Sequence, residues 1–94
     1  MRYSQLPSYA RSLRSLRDRS RLEAIHQAVL HLVSCFEKRT PPSQGLGLKK
    51  LRGHIWEVRS HLQDRVLFSW KGNLAVFLAA GAHEDIKRGL KRIQ

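Results

Sequence analysis

The spacing of apolar residues changes near the middle of the chain. Through residues 9–36 they recur every three to four positions, and from His54 to Gly81 they alternate or run together as strands require. Met1 to Leu6 alternates weakly and is short enough for an edge strand. Pro7-Ser8 offers a helix start, because proline in the first turn lacks an N–H that would have no partner there anyway. Tyr9, Leu13 and Leu16 then share one face, with Arg11, Arg14 and Arg17 on the other. Asp18-Arg19-Ser20 reads as a turn, with Ser20 capping a second helix and Glu23 completing a capping box three residues later. Leu22, Ile25, Val29, Leu32, Val33 and Phe36 form the apolar stripe of that helix, and the two helices are expected to pair as an antiparallel hairpin.

Thr40 to Gly47 holds two prolines and two glycines among polar residues and reads as a loop. Leu48-Lys49-Lys50-Leu51-Arg52-Gly53 follows as a basic entry into the strands. In the first strand Trp56 and Val58 share one face, leaving Ile55, Glu57 and Arg59 on the other. In the second, Val66, Phe68 and Trp70 alternate with Arg65, Leu67 and Ser69. Lys71-Gly72-Asn73 supplies hairpin turn chemistry, and Leu74 to Ala80 is apolar almost throughout, as in a strand buried on both faces. From Glu84 to Ile93 a helical rhythm resumes, with Ile86, Leu90 and Ile93 set against Lys87, Arg88, Lys91 and Arg92. This is an α+β pattern, and 94 residues suffice for one domain, spanning 1–94.

Charge narrows the partners. Eighteen Lys and Arg against seven Asp and Glu leave a net charge of +11, which favours polyanions: nucleic acid or an acidic protein before an anionic membrane. Cys35 is the single cysteine, so no internal disulfide forms. No run approaches the roughly 18 apolar residues that span a bilayer, and no apolar signal core opens the chain; a soluble, cytoplasmic protein is expected. No spacing suggests a metal site, a P-loop or a dinucleotide fingerprint, so neither metal nor cofactor is expected.

The order of these segments carries a resemblance. A short strand, a helix hairpin, a Pro/Gly loop, Leu48-Lys-Lys-Leu-Arg-Gly53, Ile55-Trp-Glu-Val-Arg59, Asp64-Arg-Val-Leu-Phe68 and Gly81-Ala-His83-Glu-Asp85 together resemble the RelE/ParE superfamily of bacterial type II toxins. The last of them is similar to the Gly-x-His-x-Asp ending of the YafQ-like branch, whose members are ribosome-dependent mRNA endonucleases. The resemblance covers essentially the whole chain. It implies a small RelE-like fold: an N-terminal strand and helix hairpin packed on a mostly antiparallel sheet of about four strands, with a short C-terminal helix. It also implies an RNA-binding concave face opposite the helices, mRNA in the ribosomal A site as substrate, and a cognate antitoxin that blocks the toxin in a hetero-oligomer. Where ribonuclease members usually place a Tyr or Phe after the catalytic strand, this chain has Asp85-Ile-Lys-Arg88.

Cleavage by a ribose 2′-hydroxyl needs a group to take that proton, cations to hold charge on phosphorus, and an acid for the leaving oxygen. His83, just past a strand end, is the best acid/base candidate. Arg59 and Arg65 are expected on one sheet face, able to clamp the scissile phosphate. Glu57 projects to the same face, as a base or as an ion-pair partner of Arg59. Lys49, Lys50 and Arg52 form a phosphate-steering patch; His54, His61, Lys87 and Arg88 are further RNA-binding candidates. His26 and His31 fall on the polar side of the second helix, Trp56 and Trp70 on the packing side of the strands, and Cys35 beside the helix stripe. Two other readings stand beside the nuclease: a ParE-like poison of DNA gyrase that cuts no RNA, and a plain basic RNA-binding module.

Overall fold

The computed structural model describes residues 1–39 and 47–93, so the loop expected at Thr40 to Gly47 lies, except for Gly47, outside the described residues. Chain order is β1 (Arg2–Gln5), α1 (Pro7–Ser15), α2 (Arg19–Lys38), β2 (Lys49–Arg52), β3 (Ile55–Arg59), β4 (Arg65–Lys71), β5 (Leu74–Gly81) and α3 (His83–Ile93). The strands form one mixed sheet in the order β1-β5-β4-β3-β2. Only β1 runs parallel to its neighbour, pairing Arg2 with Leu74 and Gln5 with Phe77, and the other pairings are antiparallel. The class is the expected one, with one strand more than expected. The additional strand, β2, hides in the sequence because Lys49-Lys50-Leu51-Arg52 has one apolar residue in four and so shows no alternation.

Period-two alternation decides what each sheet face does. One face carries Val58, Val66, Phe68, Phe77 and Ala80, packed with Tyr9 of α1 and Ile25, Leu32 and Cys35 of α2 into the main core. Phe68 is fully buried at its centre, 6.1 Å from Phe77 and 6.4 Å from Phe36, ring centre to ring centre. Trp56 and Trp70, 5.4 Å apart, complete this face at half burial, as their phase in the strands predicts. Cys35, which flanks the apolar stripe of α2, is buried in this core.

The opposite face is not fully open, because α3 lies on it. Ile86 and Leu90 of α3 join Leu67, Leu78, Ile55 and Leu51 in a second, smaller core, and Arg52 donates through Nη2 to the Leu90 carbonyl at 2.6 Å. That contact sets a cation against a carbonyl in the last turn of the helix, where the helix dipole favours positive charge. The β4–β5 hairpin turns on Gly72, whose φ of 57° at the first central position is the sign a II′ turn requires.

The N-cap of helix α2 lies two residues earlier than expected. Asp18, not Ser20, is the N-cap: its carboxylate accepts from the N–H groups of Ser20 and Arg21 at 2.9 and 3.3 Å. A carboxylate there both satisfies orphan donors and complements the helix dipole. The start of α2 is further tied to the β3–β4 turn, where Arg21 donates through Nε and Nη2 to the two oxygens of Asp64 at 2.9 and 2.5 Å. Asp64 is fully buried, and the pairing raises the Arg21 pKa above its already high ordinary value.

A second long-range polar contact has a measurable pH signature. Tyr3 donates its hydroxyl to Glu37 at 2.5 Å, and desolvation, the hydrogen bond and the carboxylate charge together push its pKa from 10.0 up to about 12. Burial also raises Tyr9. A group that holds its proton more tightly when folded stabilises the fold below its unfolded pKa and loses that contribution as pH rises through the folded one. Neither of the two tyrosines is therefore expected to ionise near pH 10 in the folded protein. Phenolate absorbance followed against pH should stay flat there and rise towards pH 12, whereas a urea-unfolded sample titrates at the ordinary value.

Candidate active site

Strands β3 and β4 pair Arg59 with Arg65, Val58 with Val66 and Glu57 with Leu67. Cross-strand partners share a face, so Glu57, Arg59 and Arg65 all project to the side on which α3 lies. Arg65 is diagonal to Glu57 in this register, within reach of a long side chain. It donates through Nη1 to Glu57 Oε2 at 3.1 Å, so the ion-pair partner of Glu57 is Arg65 and not Arg59. Glu57 is 4% exposed, a burial that a carboxylate tolerates only with such a partner.

Arg65 also reaches the histidine. It sits opposite Gly81, the last residue of β5, and its Nη1 lies 3.1 Å from Nδ1 of His83, the first residue of α3. A guanidinium has only N–H donors, so Nδ1 is the acceptor in this arrangement and the ring proton sits on Nε2. One Nη1 nitrogen, which carries two hydrogens, thereby joins Glu57, Arg65 and His83 into a chain from the buried sheet face to the exposed imidazole. Among the described residues no three His, Cys, Asp or Glu side chains converge as metal ligands would.

The structure divides the remaining candidates. Lys49 pairs with Glu57 in register and so lies on the same face. Lys50 pairs with Trp56 instead, and its ammonium stands 6.0 Å from the Trp56 ring centre on the main-core face, away from His83. Arg52 is engaged with the C-terminal end of α3. His61 is exposed in the turn beside Arg59 and Arg65, while His54 lies in the β2–β3 turn at the far end of β3. Lys87 follows His83 by four residues and shares its side of α3. Arg88 is paired with Asp85 at 2.7 Å and lines a groove of about 640 Å³ between α1 and α3.

In the sequence Asp85 is only the last residue of the Gly81–Asp85 motif, with no role of its own. In the structure Asp85 Oδ2 accepts from the Ala82 N–H at 3.1 Å, directly before His83. The spacing of Asp85 three residues after Ala82 is the signal that could have found it, since the third helical residue is where a carboxylate reaches back to the cap.

No protein-family model matches the chain, and no curated protein matches it in sequence. Its fold is nonetheless found among solved structures. YafQ from E. coli strain BL21(DE3) superposes with a TM-score of 0.68 at 9% identity, over 92% of this chain and 98% of that one. A copper-bound mutant toxin from Helicobacter pylori gives 0.65 at 14% identity, and the conserved hypothetical protein HP0894 from the same organism 0.50 at 16%, both over 92% of this chain and 98% of the other. At these identities the likeness concerns the fold, which this chain shares with YafQ and the Helicobacter pylori toxin.

Proposed function

We propose that this protein is the toxin of a type II toxin–antitoxin system, an endoribonuclease that cuts mRNA in the ribosomal A site and is held in check by a cognate antitoxin. The observation that carries the reading is the Glu57–Arg65–His83 chain, set on a face of a RelE/YafQ-like fold in a protein of net charge +11. In the reaction a ribose 2′-hydroxyl loses its proton and attacks the adjacent phosphorus, and the bond to the 5′-oxygen breaks. Arg65 and Arg59 hold the charge that builds on the phosphoryl oxygens. Glu57 fixes the Arg65 guanidinium, solvent takes the 2′-hydroxyl proton, and the Nε2 N–H of His83 hydrogen-bonds the departing 5′-oxygen, which takes its proton from solvent. Lys49, His61 and Lys87, around the same site, steer the phosphates of the message. An acidic antitoxin suits the same positive surface.

Induced expression is expected to stop translation and leave new 5′ ends within coding sequence. The His83→Ala protein at equal abundance should leave message whole. Growth arrest with intact message and blocked DNA supercoiling would instead indicate the gyrase-poisoning reading.

A further inference from the structure

Helix α3 begins at His83, so the position of the imidazole depends on where and how firmly that helix starts. The residue before it is Ala82, whose methyl group cannot cap, and alanine is among the poorest residues for that position. The backbone there is nonetheless ordered by hydrogen bonds: the Ala82 carbonyl accepts from Asp85 and Ile86 at 2.9 and 3.1 Å. The reciprocal bond comes from the Asp85 side chain, whose Oδ2 accepts from the Ala82 N–H at 3.1 Å while Oδ1 is held by Arg88 at 2.7 Å.

Gly81 shows how closely this carboxylate is fitted. A Cβ on Gly81 would stand 2.8 Å from Asp85 Oδ2 and 3.1 Å from Asp85 Cβ, nearer than side chains normally approach. The φ of Gly81, 148°, likewise belongs to a region that is nearly glycine-only. Strand end, turn and helix start are thus built around the Asp85 carboxylate.

We propose that Asp85 is a positioning residue for the reaction: by bonding the Ala82 N–H it locks the β5–α3 turn and holds His83 Nδ1 against Arg65. Arg88 acts through Asp85, holding the carboxylate's other oxygen. The proposal rests on the ribonuclease reading for its effect on rate, but its structural half stands apart from it. Nitrogen-15 spectra of the His83 ring, recorded on the full chain without substrate, report which ring nitrogen carries the proton. The native protein should show Nε2 protonated and Nδ1 accepting. In Asp85→Ala this preference should relax towards mixed tautomers, and the saturated cleavage rate on programmed ribosomes should fall by about 100-fold, the scale of a small misplacement of a catalytic group, with KM nearly unchanged. Asp85→Asn keeps an acceptor oxygen and should restore most of both signals. Dispersed Phe68 and Val66 resonances in each variant verify the fold. A native His83 signature in Asp85→Ala would overturn the proposal, as would an asparagine variant as impaired as the alanine one. A native protein that cuts nothing would refute the nuclease reading while the nitrogen spectra still decide the positioning.

Discussion

Replacing Arg65 by alanine is expected to lower cleavage of ribosome-bound message by about 10²–10³-fold, the effect of removing one fixed donor from a developing oxyanion. The same change strips Glu57 of its partner. That carboxylate is 4% exposed, so the variant should also lose stability by about 3 kcal/mol, because an uncompensated buried charge costs more than the pair contributed. Arg65→Lys separates the two effects. An ammonium can still sit against Glu57, but it lacks the planar fork with which the guanidinium meets a phosphate. Near-native melting with cleavage down by at least about 10-fold is the expected result for lysine. Equal rates for lysine and arginine would show that the site needs only a positive charge.

The second large effect lies away from the site. Arg21→Ala leaves the fully buried Asp64 carboxylate without its two hydrogen bonds from the guanidinium, and a loss of about 3–5 kcal/mol is expected. For a domain of this size that corresponds to a fall in Tm of about 12 °C or more. Asp64→Ala alone should cost less, since Arg21 is 23% exposed at its side chain and can turn to water. The double replacement Arg21→Met with Asp64→Leu should recover much of the loss, because apolar packing often substitutes for a buried pair at little cost. A double-mutant cycle with no coupling between the two positions would contradict the account.

The alternation of Trp56, Val58, Val66 and Phe68 with Glu57, Arg59 and Arg65 makes the two sheet faces legible in the sequence, because strand side chains have a period of two. Register does not follow from period. Whether Glu57 meets Arg59 or Arg65, and whether Lys49 or Lys50 shares its face, depends on which residues pair across β2, β3 and β4. The apolar run Leu74 to Ala80 hides a further irregularity, a register shift opposite Leu67 and Phe68, since every residue in it is acceptable on either face. Helix α2 was readable from its stripe, but Asp18 and Ser20 are both good caps and only the backbone distinguishes them. The Arg21–Asp64 pair joins residues 43 apart and leaves no local trace. The placement of α3 on the site face was equally out of reach: Ile86 and Leu90 announce an amphipathic helix, not the surface it covers.

The central claim is that His83, held by Arg65, completes a ribosome-dependent nuclease site. Purified protein mixed with ribosomes carrying a defined message, and with the same message free in solution, tests it most directly. New 5′ ends at the A-site codon of the ribosome-bound message, absent from free message and lost with His83→Ala, are the predicted result. Message that stays intact on the ribosome, or that is cut equally fast by the His83→Ala protein, would contradict it.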